Sequence, residues 1–578
     1  MSRVVHPAVP FLLVVLLAAA ASATPASPTQ AGVAGLLTPA ERSNFEQTTR
    51  YADVMGLMEA FDAASDRLHM STFGYTYEGR PLPMMVVGDV PDASPEAVLA
   101  SGKTRIWIQG GIHSGEACGK EAMLMMLREL AQGAWSEWDD ALVLLIAPLY
   151  NADGNELVKI DNRGRQNGPI GGMGQRPNAQ GYDLNRDHMK LDAPEARSLI
   201  AMMNRYDPHL GVDLHTTNGT QHGYYLTYSP PLSPNTPGQI DEMLRGDWLP
   251  AVTTAIKQKH GWDYFYYGNA GGLGGGRGGF GGRGGRGGAG GGRGEAGAAG
   301  GRGGGAAAGG EQGLPTWGTF DHRPRFNNNY IGLRNRFAIL SEAYSYATFE
   351  DRVMASYWFV EEILNYAAAH AAAIRDITAA ADGLSVVGES LGVRFGTKNI
   401  EEPIEILMGA TEQVLNPYSG EMILNRLDET STMMMRDGGT FEAVETEVAP
   451  AAYFIPASEG DALAKLQIHG VRTWALETEV TVPGERFTIS SSTQADNAFQ
   501  QHNERNLEGS WESAELSLPA GTVVVEVAQP LGRLAFSLLE PRADDGFTNW
   551  NAFDRSLEGA QHHPVTRAHA EGLSMLPR

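Results

Sequence analysis

The stretch from Thr104 to Gln132 (TRIWIQGGIHSGEACGKEAMLMMLRELAQ) constrains this chain more than any other. It opens with the apolar alternation of a strand and ends with the apolar spacing of a helix. Between the two stands Gly110-Gly111, a pair that lets the backbone turn sharply. The turn and the helix start carry His113 and Glu116, two metal-ligating side chains three positions apart that can converge on one point. A loop histidine beside a glutamate that favours the positive end of a helix dipole gives the same pair. The H-x-x-E spacing alone therefore does not decide for a metal.

At 578 residues the chain exceeds one simple core, and the usual size of a domain predicts about two to four. Lysine and arginine total 44 against 68 aspartate and glutamate, a formal charge of −24, which argues against nucleic acid as a partner. Arg3 precedes an apolar run from Pro10 to Ala21, and Ala21-Ser22-Ala23 follows as a small-x-small cleavage pattern. Residues 1–23 are thus expected to be a signal peptide and residues 24–37 a linker. No later stretch reaches the about 18 consecutive apolar residues of a membrane span. The expectation is a secreted or periplasmic protein with no membrane partner after signal cleavage. The single cysteine, Cys118, excludes an internal disulfide and reads as a small buried side chain rather than a nucleophile.

Strand and helix patterns alternate over the first part of the chain. Thr38-Pro39-Ala40-Glu41 opens a first helix, an amphipathic helix is expected between Tyr51 and Met70, and Phe73 to Val87 reads as a hairpin turning at Glu78-Gly79. Thr104 to Gln109 is the central strand, and the apolar run Ala141 to Ala147 is a strand buried on both faces. A polar loop from Gly164 to Gly181 follows, of a length that usually carries function. Asp192 is expected to cap a helix reaching about Tyr206, and the strand Leu210 to Leu214 delivers His215 at its end. Ligands gather at the carboxyl ends of strands in open α/β sheets, which makes His113 and His215 candidate neighbours.

Residues 271–313 collapse to glycine, alanine and arginine and are expected to be a disordered surface insertion. Arg277, Arg283, Arg286, Arg293 and Arg302 read as part of it rather than as a nucleic-acid segment, given the acidic chain. A strand from Gly332 ending in Glu342 and a helix from Phe349 to about Arg375 close the first domain. Past Ala380, short alternating runs such as Thr522 to Val527 predict a mostly β second domain.

A zinc ion used for hydrolysis requires three protein ligands and one open position for water, and His, Glu, His is a recognised set. His113, Glu116 and His215 fill it. Glu342 at a strand end is available as general base, and the arginines between Asn151 and Arg186 as the positive group.

Five motifs in order carry a family resemblance: Gly110 through Glu116, Asn151-Ala152-Asp153-Gly154, Asp183-Leu184-Asn185-Arg186, Asp213-Leu214-His215 and Glu342. With them the chain resembles the zinc metallocarboxypeptidases, the pancreatic carboxypeptidases and their bacterial relatives. The resemblance implies an α/β catalytic domain over residues 38–375, a mixed central sheet flanked by helices; the smaller mostly β domain over residues 380–578, of unknown role, lies outside it. The resemblance also implies one zinc ion per chain on His113, Glu116 and His215, with Glu342 as general base. Asn185 and Arg186 would hold a peptide's terminal carboxylate, and Asp183 would orient His113. Of Arg163 and Arg165, spacing favours Arg163 as the oxyanion arginine. The implied activity is hydrolysis of C-terminal residues from peptides with a free carboxylate.

Two departures accompany the resemblance. Gly115 stands where pancreatic members carry an arginine, and Tyr330 is only the nearest counterpart of the family's mobile tyrosine. Two other readings stay open on the sequence: a zinc amidohydrolase or deacylase acting on N-acyl amino acids or cell-wall peptides, and a secreted binding protein whose site no longer turns over.

Overall fold

The computed structural model describes residues 30–164, 166–217, 220–271, 313–398 and 400–577. The expected signal peptide, nearly all of the glycine-rich insertion and Arg165 lie outside the described residues. In chain order, the strands that build and border the site are β1 (Leu68–Tyr75), β2 (Pro81–Val87), β3 (Thr104–Gly110), β4 (Leu142–Ala147) and β5 (Leu210–Thr217). After them come β6 (Leu226–Ser229), β7 (Tyr264–Tyr266), β8 (Asn269–Gly271), β9 (Thr316–Gly318) and β10 (Phe337–Tyr344).

Eight of these strands form one sheet in the order β1-β2-β4-β3-β5-β10-β6-β7. Its centre, β4-β3-β5-β10, is parallel, while β1, β2 and β6 join antiparallel to their inner neighbours. Strands β3, β4 and β5 are buried along their whole length, as expected of parallel strands covered on both faces. Helix Cys118–Ala131 packs against helix Phe349–Ala369, Pro194–Tyr206 packs on β1, and Asn327–Leu333 packs on β5 and β10. The fold is the expected mixed sheet flanked by helices.

Three local expectations are corrected. The strand ending in Glu342 begins at Phe337, not Gly332, because residues 327–333 are helical. Side-chain bonds from Asn328 to Pro230 O (2.8 Å) and from Leu232 N to Asn329 (2.7 Å) hold that helix to the loop after β6. The last helix of this part is two, Phe349–Ala369 and Ala371–Gly383, parted at His370, whose Nδ1 lies 2.9 Å from Tyr366 O. Asp192 does not cap the helix after it, since Ala193 stands at that position. Asp187 accepts from Ala193 N at 2.7 Å instead, while Asp192 is drawn to Lys190 (2.9 Å) and His502 (2.8 Å).

The chain beyond residue 380 is β-rich, as expected. Its hairpin Pro403–Leu415/Met422–Gly438 continues through β9 and β8 into a four-stranded sheet, so the strands at both ends of the glycine-rich insertion lean on C-terminal sequence. One apolar cluster contains Trp107, Leu214 and Phe359 together with Val525, Phe536 and Trp550. The two parts share a core. No helix among the described residues is long and apolar enough to cross a membrane.

Candidate metal centre

The site sits at the carboxyl ends of β3, β5 and β10. At the end of β3 the chain must turn under close packing: a Cβ on Gly110 would meet Pro148 O at 2.8 Å and Lys120 N at 2.9 Å, and Gly111 has φ +68°. Only glycine suits both positions. The turn then closes with Glu116 N donating to His113 O at 2.8 Å, just before helix Cys118–Ala131.

This bend brings His113 and Glu116 to His215 on β5. Nδ1 of His113 lies 3.1 Å from Glu116 Oε1, Nδ1 of His215 lies 2.8 Å from Glu116 Oε2, and the two rings stand 4.9 Å apart. One ligand atom from each of the three lies within 4.8 Å of the others, and all three residues are buried. Each imidazole spends its other nitrogen on a carboxylate: His113 Nε2 on Asp183 (2.8 Å) and His215 Nε2 on Asp213 (2.9 Å). Such partners fix ring orientation and leave Nδ1 to face inward. His113 Nδ1 is a buried nitrogen without a hydrogen-bond partner, which a cation at this point would satisfy. The donor set and the orphaned nitrogen fit zinc. Against the upward push of burial, His113 and Arg163 hold the Glu116 carboxyl well below its usual range, and Asp213 with Glu116 raises His215 despite its burial.

Glu342 is opposite His215 in the parallel register of β10 and β5. Burial pushes its carboxyl up to about 8, opposed by His215 and Arg163. A carboxyl poised near neutrality beside a metal triad has the character of a general acid and base.

The expected arginine, Arg163, places Nη1 2.8 Å from Glu116 Oε1. Its stem also explains Gly115: a Cβ there would meet Arg163 Cγ at 2.8 Å and Gly174 O at 2.7 Å. The position where relatives of the pancreatic type carry an arginine is thus covered by the stem of an arginine from another loop. A second arginine of the Asn151–Arg186 segment, not singled out by the sequence, stands on the same edge. Arg176 lies 2.8 Å from Asp183 Oδ2 and 3.6 Å from Glu116 Oε1. Asp213 was likewise unassigned, although its place two residues before His215 puts both side chains on one face of β5. Gln109 on β3 donates to Asp213 at 3.0 Å and Trp107 to Gln109 at 2.9 Å, so three residues in line set the His215 ring.

Asn185 and Arg186 follow Asp183 in a tight helical turn, which Asp183 caps by accepting from Asn185 N at 3.0 Å. Asn185 Nδ2 is 3.3 Å from His215 Nε2, so this loop adjoins the metal triad. Arg186 is buried, and among the described residues no carboxylate lies within ion-pair distance of it. Its guanidinium lies 3.9 Å over the Phe326 ring and donates to Asn185 O at 2.6 Å. Burial lowers its pKa to about 10. From Phe326 a row of rings continues through Phe320 (5.1 Å) to Tyr267 (5.5 Å), which follows β7 and bonds through its N to Tyr228 O on β6, the neighbour of Glu342's strand. Tyr330 is not part of the site: it is fully buried, with its hydroxyl 2.8 Å from His469 Nδ1.

A sequence profile described as zinc carboxypeptidase matches residues 54–242, a span that holds the triad, Asp183, Asn185 and Arg186 but not Glu342. Over those residues the chain carries a zinc carboxypeptidase domain. Carboxypeptidase 2 of Trichophyton equinum is 24% identical over 511 residues, 85% of this chain and 81% of that protein. Carboxypeptidase D of Rattus norvegicus is 30% identical over 201 residues, 29% of this chain and 14% of that longer protein. A metallo-carboxypeptidase from Burkholderia cenocepacia superimposes with a TM-score of 0.37 at 16% identity, covering 56% of this chain and 70% of that one. The chain is a metallopeptidase whose three candidate ligands come from the turn after β3 and the end of β5.

Proposed function

We propose that the protein is a secreted or periplasmic zinc carboxypeptidase that removes C-terminal residues from peptides with a free carboxylate. The observation that carries the reading is the buried Arg186, a guanidinium without a carboxylate partner among the described residues, in the loop that adjoins the triad. Buried cations are normally paired, and a fork of this geometry matches a carboxylate.

His113, Glu116 and His215 would hold the zinc ion, which supplies an acidified water and polarises the scissile carbonyl. Asp183 and Asp213 keep the two imidazoles turned to that point. Asn185 and Arg186 hold the terminal carboxylate of the peptide. Glu342 accepts the proton of the attacking water and returns it to the departing amine. Arg163 and Arg176 face the negative charge that develops on the carbonyl oxygen. Arg165 has no described position and takes no part in this reading.

Export is supported by Arg3 and the apolar run from Pro10 to Ala21. Sequencing the N-terminus of the exported protein tests it, with a start near Thr24 expected. The activity is tested by metal analysis together with amino-acid release from paired free and C-terminally amidated peptides. One zinc per chain and stepwise release from free peptides, with only weak turnover of the amides, are expected. Zinc with release only from N-acyl amino acids would turn the reading into a deacylase, and a chain that binds no zinc would overturn it.

A further inference from the structure

Both residues assigned to the substrate carboxylate are held by the segment that follows β9, and that segment is held by the C-terminal part of the chain. Phe326 lies under the Arg186 guanidinium, and Asn327 N donates to Asn185 Oδ1 at 2.9 Å. Asn327 Nδ2 is also 3.0 Å from His188 Nε2, whose Nδ1 donates to Arg325 O at 3.0 Å. Arg325 is the residue that fixes this segment. Its guanidinium is buried between Asp545 (Nε to Oδ1, 2.8 Å) and Glu504 (Nη2 to Oε1, 2.7 Å), and it stacks 4.5 Å over Trp550. Its backbone N donates to the second Asp545 oxygen at 2.5 Å, so a single carboxylate grips both main chain and side chain. Trp550 Nε1 donates to Asp545 at 2.8 Å, and His322 reaches Asp544 at 3.1 Å.

The opposite wall is gripped as well. Gln500 accepts from Asp183 N at 2.8 Å, and Gln501 accepts from Tyr182 OH at 3.2 Å. Gln500 (φ 50°) and Gln501 (φ 67°) both hold left-handed backbone that non-glycine residues rarely adopt. Strain of this kind persists where surrounding contacts over-determine it, and here those contacts are with the loop that carries Asp183, Asn185 and Arg186.

We propose that the C-terminal β-rich part is the back wall of the carboxylate pocket, with Asp545 as its positioning residue, assisted by Glu504, acting through Arg325 on Phe326 and Asn327. This rests on the carboxylate reading of Arg186 and goes beyond it. The catalytic sheet supplies the metal ligands and the base, and residues 500–550 set how tightly the C-terminal residue of a peptide is held. A packing role alone would spread its effect over metal content, turnover and stability. A positioning role falls on recognition of the free carboxylate, and misplacement by about 1 Å is worth about 100-fold in such a site.

The test uses the full chain carrying Asp545→Asn, with Glu504→Gln as the milder second variant, since the Glu504 side chain is 23% exposed. KM and kcat are measured on free-carboxylate peptides and their amides, alongside zinc per chain. The expected result for Asp545→Asn is a KM on free peptides raised about 10- to 100-fold, with kcat and zinc content near wild type and the weak turnover of amides unchanged. Glu504→Gln moves KM the same way by less, and it carries the test if Asp545→Asn does not fold. Unchanged KM in the folded variants, or loss of zinc and kcat at constant KM, overturns the proposal. A wild-type protein that treats free and amidated peptides alike defeats the carboxylate reading and this inference with it. A wild type that discriminates, beside variants that discriminate equally well, defeats this inference alone.

Discussion

Replacing Arg186 by methionine is predicted to change recognition and stability in opposite directions. The guanidinium is buried without a carboxylate partner among the described residues, and burial lowers its pKa from the ordinary guanidinium value to about 10. Both values lie above neutral pH, so the penalty on the charged form is fully present at pH 7, and the shift corresponds to about 3 kcal/mol. Methionine forfeits the hydrogen bond to Asn185 O, worth about 1 kcal/mol, and the stack on Phe326, worth about 1 kcal/mol. The free enzyme should therefore unfold at equal or higher urea concentration, with a gain of about 0–2 kcal/mol. Recognition moves the other way: removing one partner of a desolvated charge pair costs about 2–5 kcal/mol, or about 30- to 5,000-fold in kcat/KM on free peptides. Amidated peptides should be turned over as by wild type. Paired free and amidated substrates with urea unfolding of both proteins decide it. Equal loss on both substrates, or destabilisation by more than about 2 kcal/mol, would make Arg186 a structural cation and remove it from substrate binding.

Glu342→Gln should keep one zinc per chain and lower kcat by about 100- to 10,000-fold; metal analysis beside turnover separates this from a ligand defect, and near-wild-type kcat removes Glu342 as the base. The ring row Tyr267, Phe320 and Phe326 runs from the side of Glu342 to Arg186, so peptides ending in apolar or aromatic residues should outperform those ending in lysine, and Phe320→Asp should narrow or invert that ratio. His209, His222, His469 and His563 are each pushed down to about 3 by burial. Only the unfolded chain takes up these protons below its pKa of about 6.5, so each site removes about 1.4 kcal/mol of stability per pH unit between there and about pH 3. Urea unfolding at pH 7, 6 and 5 checks it: stability should fall toward pH 5, and a flat profile would contradict the sign.

The site residues legible in the sequence were those whose placement is local. His113 and Glu116 follow a glycine turn too tight for any side chain, and His215 lies near the carboxyl end of a short apolar strand. Asp183, Asn185 and Arg186 share one short turn, so their order in the chain already groups them. Glu342 lies on the expected strand, opposite His215, although that strand begins at Phe337 rather than Gly332, because the alternation up to residue 342 holds from either start.

Other features depend on contacts between residues far apart in the chain. Arg176 is seven positions from the Asp183 it grips, in a loop whose path no local pattern specifies. Asp192 looks like a helix cap in isolation, but two cations and a distant histidine compete for it, and the helix starts without a side-chain cap. Likewise the grip of Asp545 on Arg325 crosses 220 positions. The sequence by itself determined the α/β class and singled out the candidate ligands and the candidate base, since strand alternation, glycine turns and strand-end positions follow from backbone geometry over a few residues. Only the tertiary structure decided which arginines lie against the triad and that the C-terminal part grips the segments beside Asn185 and Arg186, because long side chains from separate loops are placed by the carboxylates they meet after the chain has folded.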